Sequence, residues 1–327
     1  MRSRLRKFLL AGVTGLLAVT ASAYGLMRAD AATYPNPGVV TGSTFAHDPT
    51  IVKKPAGGYL LAYTAPGIGL KTSADRTRFT DAGKAFPNGT PWADAYTGGD
   101  TNLWAPDISY RDGKYLMYYS ASTFGSSKSA IFLASSTTGA AGTWTNQGKV
   151  VESTATSGFN AIDPNLTVTP NGEWWLSFGS FWSGIKMVKL SPSTGKRADS
   201  AIHNIAERFV NSKSIEAPHI YYRNGYYYLF VAFDFCCKGA SSTYRTMVGR
   251  STSITGPYKD RAGTLMTAGG GTEILASHDA VYGPGHPAVF QDGTQDVLVY
   301  HYYTAAGDAR LGINLLSWSS SGWPTVY

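Results

Sequence analysis

Short apolar runs with the character of β-strands follow one another along most of this chain, and no long stretch shows the apolar period of a helix. Five of these runs begin directly after a proline, at positions 49, 106, 164, 218 and 287. A turn and a second apolar run come next each time, as in residues 50–52, 55–58 and 59–63. The pattern predicts five β-hairpins.

The turns inside these hairpins are rich in glycine. Four of the five contain Asn-Gly or Asp-Gly, which supply the positive φ that a tight hairpin needs: Asp112-Gly113, Asn171-Gly172, Asn224-Gly225 and Asp292-Gly293. The first unit has Gly57-Gly58 in the same place. The hairpin prediction therefore has a local chemical cause as well as a hydrophobic pattern.

The five units recur every 54 to 69 residues, and further strand-like runs follow each hairpin, for example residues 130–135, 185–190 and 246–250. About four strands per unit of this length is typical of a propeller blade. We therefore expect an all-β fold, a five-bladed β-propeller with about four antiparallel strands per blade. It would occupy residues 32–327 as one catalytic domain. A sandwich or mixed fold is the alternative, but it does not explain the repetition.

Residues 1–31 have the features of a signal peptide. Arg2, Arg4, Arg6 and Lys7 form a basic start, and residues 8–23 are apolar. Small residues suit cleavage after Ala23 or Ala31. An uncleaved anchor is the alternative, although the apolar stretch is marginal in length for spanning a bilayer. We expect export, with no membrane association of the mature protein.

Removing this segment changes the charge balance. It holds five of the 28 Lys and Arg and one of the 21 Asp and Glu, which leaves 23 against 20. So small an excess gives no support for nucleic-acid binding. The only two cysteines, Cys236 and Cys237, are adjacent and cannot connect distant segments. Stability must come from a core, and 37 Gly suit a turn-rich β domain.

Candidate catalytic residues lie at the prolines themselves. Asp48, Asp163 and His286 directly precede a proline, and Glu216 stands two positions before one. We expect the residue before each proline to be extended, so that these side chains meet at one mouth of the central channel. Strict alternation would turn Glu216 to the other face, so it needs a local irregularity.

Clustered carboxylates in an aromatic-rich protein of low charge suggest glycoside cleavage. One acid protonates the departing oxygen, and a second carboxylate activates water or attacks directly. A third nearby raises the pKa of the first acid by repulsion. Asp before Pro is also a common turn former, but three acids in similar places of a repeat favour function over turn formation.

Several phrases resemble glycoside hydrolase family forty-three, and within it the endo-1,5-α-L-arabinanases. They are His47-Asp48-Pro49, residues 162–165, residues 214–220, Leu103-Trp104-Ala105-Pro106-Asp107, residues 178–185, residues 233–237 and Gly322-Trp323-Pro324. The resemblance covers the whole mature chain. It implies a secreted propeller that hydrolyses internal α-1,5 bonds of arabinan with inversion, with arabinan or arabino-oligosaccharides as its partner and a monomer as its state.

The resemblance also implies roles for the candidate residues. Asp48 would be the general base, Glu216 the general acid, and Asp163 the residue that tunes and orients the acid. His286, in the phrase Gly283-Pro284-Gly285-His286, would coordinate a cation, usually calcium, largely through water. The following Pro287-Ala288 departs from the family pattern. A histidine hydrogen-bonded inside the channel is the alternative.

Sugar contacts are expected from aromatic faces and polar neighbours. Trp104 and Phe124 are the first candidates for stacking, followed by Trp182, and Asn165 and Ser183 are candidates for bonding the furanose hydroxyls. Asp107 and Asp234 are interpreted as structural. Cys236 and Cys237 form either a vicinal disulfide or two buried thiols, and a role in shaping a loop of the cleft is expected.

Other functions remain open from the sequence. The same scaffold could carry an exo-acting arabinofuranosidase or a xylosidase, which differ in the loops that block one end of the cleft. A sucrose-processing propeller with retention of configuration is another possibility. A carbohydrate-binding propeller without catalysis is disfavoured because all three acids are present.

Overall fold

The computed structural model describes residues 33–327, which form five small antiparallel sheets arranged as a five-bladed β-propeller. The fold predicted from the sequence is confirmed. The predicted signal peptide, residues 1–31, and its cleavage sites lie outside the described residues. Within residues 33–327, no helix has both the length and the apolar character needed to cross a membrane.

Each blade is one sheet. Blade 1 contains β1 (Thr41–Gly42), β2 (Thr50–Lys53), β3 (Tyr59–Tyr63), β5 (Gly69–Ser73) and β6 (Arg78–Lys84), and blade 2 contains β4 (Ala65–Pro66), β7 (Asn102–Arg111), β8 (Lys114–Ala121), β9 (Ser129–Ser136) and β10 (Thr145–Ser153). Blade 3 contains β11 (Asn165–Val168), β12 (Trp174–Phe178), β13 (Ile185–Leu190) and β14 (His203–Ala206). Blade 4 contains β15 (Ile215–Arg223), β16 (Tyr226–Phe233), β17 (Arg245–Ser251) and β18 (Thr272–Leu275), and blade 5 contains β19 (Tyr282–Asp292), β20 (Gln295–Tyr303), β21 (Ala309–Trp318) and β22 (Pro324–Val326).

In the part of the chain that the structure describes, helical structure is confined to short segments between strands. They are the α-helix α1 (Asp94–Thr97) and the 3-10 turns Pro91–Ala93, Asn211–Lys213, Gly239–Ser241 and Met266–Ala268. The strands β2, β7, β11, β15 and β19 contact one another from blade to blade, so they line the centre of the propeller. All five follow or contain the repeated prolines.

The predicted hairpins form where the turn residues indicate them. Asp112 and Gly113 have φ of 49° and 79°, and they join β7 to β8. Asn224 and Gly225 have φ of 49° and 83°, and they join β15 to β16. Two successive positive φ values match the twist of the flanking strands, which fixes the register of these hairpins.

The hydrophobic core lies between neighbouring blades. One cluster joins Leu60 and Leu70 of blade 1 to Met117 of blade 2, and others follow at each later boundary. The ring closes in the same way, because Leu61 of blade 1 packs in one cluster with Val299 of blade 5. Every blade therefore depends on its two neighbours for burial of its apolar faces.

The residue before each repeat proline has a left-handed backbone. The φ values are 49° at Asp48, 47° at Ala105, 58° at Asp163, 53° at Ala217 and 55° at His286. The prediction that these residues are extended is wrong. The steric preference of a residue before proline is overridden five times, at positions where a residue other than glycine is rarely left-handed.

This backbone conformation creates a bulge in the central strands. In β15 the pairing register shifts between Glu216 and His219. In β7 it shifts between Trp104 and Asp107, and in β19 between Gly285 and Ala288. A bulge inserts an extra residue and redirects the side chains beside it. It supplies the irregularity that Glu216 needs to reach the same side as the other acids.

The left-handed conformation can be tested at an alanine that carries no chemistry. Ala105 and Ala121 are both fully buried, but only Ala105 has positive φ. Both Ala→Gly changes lose one buried methyl and make the unfolded chain more flexible. We expect Ala105→Gly to retain about 1 kcal/mol more free energy of unfolding than Ala121→Gly, since glycine has no left-handed penalty. Chemical denaturation of both variants measures this difference, and equal losses would contradict the strain.

Candidate active site

A cavity of about 850 Å³ opens at the centre of the propeller and is lined by residues of all five blades. The structure brings together four residues selected from the sequence: Asp48 of the loop entering blade 1, Asp163 of the loop entering blade 3, Glu216 of β15 and His286 of β19. All three carboxylates are at least nine-tenths buried. Three negative groups in one poorly solvated space cannot ionise independently.

Asp48 is held by donors on both carboxylate oxygens. Thr64 Oγ1 donates to Oδ2 at 2.6 Å, and His47 Nδ1 lies 2.9 Å from the same oxygen. His286 Nδ1 lies 3.2 Å from Oδ1. Burial alone would raise the pKa of Asp48, but the charges of His47 and His286 hold it well below its usual range. Asp48 is therefore the ionised carboxylate of the site.

A chain of contacts supports His47 from behind. The Tyr303 hydroxyl accepts the backbone N–H of Cys237 at 2.9 Å and lies 2.9 Å from His47 Nε2. The opposite ring nitrogen, Nδ1, faces Asp48, so the hydroxyl and the carboxylate hold the His47 ring between them.

Glu216 has the opposite character. Burial is the main cause that raises its pKa to about 8, and repulsion from Asp163 and Asp48 adds to it. The Ser180 hydroxyl donates to Glu216 Oε2 at 2.5 Å and partly offsets the rise. Glu216 is therefore protonated at neutral pH and can donate its proton.

Asp163 lies between these extremes. Its Oδ2 accepts the backbone N–H of Ala217, the residue after Glu216, at 3.0 Å. Burial raises its pKa to about 6, with repulsion from Asp48 adding and the charge of His286 opposing. Asp163 thus fixes the backbone next to Glu216 and acts on its charge.

His286 supplies positive charge to the group. Burial opposes its protonation, but Asp48, Asp163 and Glu216 together raise its pKa to about 9. The site therefore contains an ionised carboxylate, a protonated carboxyl and a protonated imidazole at neutral pH. A protonated acid opposite an ionised base is the arrangement that acid–base cleavage of a glycosidic bond requires.

The candidate sugar contacts divide into two groups. Trp104, Phe124 and Trp182 line the cavity, and Phe124 is 86% exposed. Asn165 and Ser183 are not among the lining residues. The Ser183 hydroxyl donates to the carbonyl oxygen of Gly158 at 2.6 Å. The structure therefore places the three aromatic candidates in the cavity wall and the two polar candidates elsewhere.

Asn165 belongs to a second set of contacts one residue beyond the prolines. The side chain at this position accepts a backbone N–H of the following blade: Thr50 from Ile108, Asp107 from Leu166 and Asn165 from Ile220. In the next blade His219 Nε2 contacts the carbonyl oxygen of Val289. These contacts join consecutive inner strands, so Asn165 and Asp107 serve closure of the channel.

Asp234 and the cysteines have the structural positions that the sequence suggested. Asp234 pairs with Arg208 at 2.7 Å and with Arg245 at 2.8 Å, and it does not line the cavity. Cys236 and Cys237 form a vicinal disulfide that does line it. Of the two alternatives for the cysteines, the structure shows the bonded form, in a loop of the cavity wall.

Sequence reasoning missed several residues of the cavity. Thr64, Ser180, Phe181 and Lys213 line it, and Tyr303 supports it from behind His47. Thr64 and Tyr303 lie at or just after the ends of β3 and β20, the second strands of their hairpins. Thr64 could have been found by asking which residue of the second strand lies opposite His47, two positions before Pro49, because the hairpin pairs these two residues.

Comparison with known proteins gives a consistent result. The model of glycosyl hydrolases family 43 matches residues 34–324. The chain is 45% identical over 285 residues to "Extracellular endo-alpha-(1->5)-L-arabinanase 1" of Bacillus subtilis, covering 85% of this chain and 87% of that protein.

Two solved structures are similar over nearly their whole length. "GH43 Endo-Arabinanase from Bacillus licheniformis" has a TM-score of 0.82 and 44% identity, covering 88% of this chain and 99% of that one. An exo-1,5-alpha-L-arabinanase from a bovine ruminal metagenomic library has a TM-score of 0.83 and 38% identity, covering 89% and 99%.

The charge arrangement predicts the pH dependence of activity. Glu216 must keep its proton to act as an acid, so kcat/KM should fall as pH rises through about 8. Asp163→Asn removes a negative charge beside Glu216 and should move this alkaline limb to lower pH. Asp107→Asn, a buried carboxyl outside the cavity, is the control and should leave the limb in place. An unmoved limb in Asp163→Asn would contradict the coupling.

Proposed function

The chain belongs to glycosyl hydrolases family 43, and from this premise we propose that it is an exported endo-1,5-α-L-arabinanase. It hydrolyses internal α-1,5-L-arabinofuranosyl bonds of arabinan. The observation that carries the proposal is the unequal charge state of three carboxylates around one cavity. Asp48 is held ionised, whereas Glu216 is held protonated. A binding protein without catalysis would have no use for this inequality.

The reaction follows from these charge states. Glu216 gives its proton to the glycosidic oxygen as the bond from the anomeric carbon to that oxygen breaks. Asp48 takes a proton from a water molecule whose oxygen forms the new bond to the anomeric carbon. One product then has a new reducing end and the other a free hydroxyl. Attack by water from the Asp48 side, opposite the leaving oxygen, inverts the configuration.

The endo mode is favoured over the exo mode. The two relatives described above that are named as endo-acting share 45% and 44% identity with the chain, and the exo-acting one described above shares 38%. Aromatic side chains line the cavity on several blades: Trp104 lies on β7 of blade 2, Trp182 between β12 and β13 of blade 3, and Phe235 between β16 and β17 of blade 4. Stacking surfaces on different sides suit a chain that continues past the cleavage point in both directions.

The partner and location follow from the same premise. Arabinan and its oligosaccharides are the proposed ligands, and the enzyme acts outside the cell as a monomer without a nucleic-acid or membrane partner. Support for export comes from the relative that is named extracellular and from the oxidised cysteine pair.

We also propose that a cation, with calcium the candidate, binds near His286. The surroundings fit a positive ion, since three carboxylates already raise the pKa of His286 to about 9. When the cation is bound, the ring would be neutral, and the charge of the ion would take the place of the charge of the ring proton. Its ligands would be the ring nitrogen that does not face Asp48 and water, because hard cations prefer oxygen. The ion would supply electrostatic stabilisation of the carboxylates.

Other cation-binding groups in the described residues are less suitable. His47, Asp48 and His301 lie close enough together to share an ion, but Asp48 is the proposed base. His47 is also close to both cysteines, whose sulfurs are bonded to each other and are therefore not thiolate ligands. His286 remains the candidate.

Digestion of linear arabinan tests the function. We expect a range of short oligosaccharides at early times. NMR should show the β-anomer as the first-formed reducing end, because inversion converts the α-linked sugar to this anomer. Glu216→Gln and Asp48→Asn should each lose activity by roughly 10³-fold or more while keeping a normal Tm. Monosaccharide alone from the start would favour the exo mode, and near-normal hydrolysis by either variant would refute its role.

Thermal unfolding tests the proposed cation independently of activity. Calcium added after chelator treatment should raise the Tm of the native protein, because a ligand that binds only the folded state stabilises it. His286→Ala should abolish this response. A Tm that does not depend on calcium in the native protein would contradict the site.

A further inference from the structure

The left-handed residues before the prolines present backbone N–H groups that the interrupted sheet does not satisfy. In three blades the acceptor is a side chain of the preceding blade. Ala105 donates to Thr64 Oγ1 at 2.8 Å, and Asp163 donates to Ser120 Oγ at 3.0 Å. Asp48 donates to His301 Nδ1 at 3.1 Å, which crosses the boundary between the last and the first blade. A buried N–H without an acceptor would be costly.

The three acceptors occupy one equivalent position of the propeller. Each pairs with the residue two before a proline: Ser120 with Trp104, His301 with Gly285, and Thr64 through its N–H with the carbonyl oxygen of His47. The equivalent residues of the other two blades are Gly179 and Ala232, which have no side-chain acceptor.

Two of the three acceptors serve aspartates of the site, and the third, Thr64, serves Ala105 and also donates to Asp48 Oδ2. Both aspartates of the site receive one, Asp48 from His301 and Asp163 from Ser120. Gly179 occupies the acceptor position of blade 3 and has no side chain to accept a hydrogen bond. There the carboxylate of Asp163 accepts the N–H of Ala217 and thereby supports the strand that carries Glu216. These hydrogen bonds tie each aspartate to the preceding blade, and they tie Asp163 to the strand that carries Glu216.

His301 is difficult to explain by packing alone. It is completely buried, and burial lowers its pKa well below the usual range, so the ring is neutral. Accepting the Asp48 N–H at Nδ1 places the proton on Nε2, which is buried without a hydrogen-bond partner among the described residues. Asp48 Oδ1 is farther from Nδ1, at 3.4 Å. A buried N–H without an acceptor costs free energy. We therefore interpret the acceptor at Nδ1 as the reason why a histidine occupies this position.

Building on the proposed function, we propose that His301 and Ser120 are positioning residues of the active site. Each accepts the backbone N–H of a catalytic carboxylate residue across a blade boundary, and each thereby fixes the left-handed backbone from which that carboxylate reaches the cavity. They act on Asp48 and Asp163 through the main chain and do not contact substrate.

Kinetics of paired variants test this role. His301→Leu and Ser120→Ala remove the acceptor and should lower kcat by roughly 10- to 100-fold with KM nearly unchanged, since a small misplacement of a catalytic group has effects of this size. His301→Asn and Ser120→Thr keep an acceptor near the same place and should recover most of kcat. Equal kcat in the members of each pair would overturn the proposal.

Two further measurements separate positioning from other causes. Tyr300→Phe removes a buried hydroxyl hydrogen bond to Asn314 from the strand that carries His301, and it should lower Tm with little effect on kcat. Amide hydrogen exchange at Asp48 and Asp163 should be slow in the native protein and faster in His301→Leu and Ser120→Ala, respectively. Unchanged exchange in these variants would refute the positioning role, whether or not the native enzyme hydrolyses arabinan. Inactivity of the native enzyme on arabinan would refute the proposed function only.

Discussion

The left-handed backbone before each repeat proline is the constraint on which the site depends. Five such residues cost about 1–2 kcal/mol each, which in total approaches the net stability of an ordinary domain. They persist because the blades on both sides hold them, through side-chain acceptors such as Ser120 and through apolar packing at every boundary. In return, the bulge turns acids from three blades toward one cavity. Strain of this kind concentrates at functional sites.

The fold also separates closure of the ring from chemistry by a shift of only two or three residues along each inner strand. Side chains just after the prolines, such as Asp107 and Asn165, bond the next blade and close the channel below the cavity. Residues one or two positions before the prolines, such as Asp163 and Glu216, line the cavity. Burial acts on both sets and raises the pKa of Asp107 and of Asp163 to about 6. Within the cavity, the charges of His47 and His286 hold the pKa of Asp48 low despite its burial, whereas burial and repulsion raise the pKa of Glu216.

Local sequence signals predict the blades well, because Asn-Gly turns and strand patterns act over a few residues. The clustering of Asp48, Asp163 and Glu216 follows from the repeat itself. The backbone conformation does not follow, since Asp, Ala and His before proline ordinarily prefer extended structure. Partners such as His301, 253 residues from Asp48, carry no local signal. Asn165 was expected to bond the furanose as a polar neighbour, but its position directly after Pro164 places it among the contacts that close the channel.

The vicinal disulfide shows how a local bond can matter at the site without connecting distant segments. Cys236 and Cys237 constrain only their own loop, and Cys237 has a left-handed φ of 68°. From this loop the N–H of Cys237 reaches the Tyr303 hydroxyl, which contacts His47, which in turn faces Asp48. The main chain of the loop thus orients the hydroxyl and, through it, the ring of His47. The support of Asp48 therefore comes from blade 4, through this loop, as well as from blades 1 and 5.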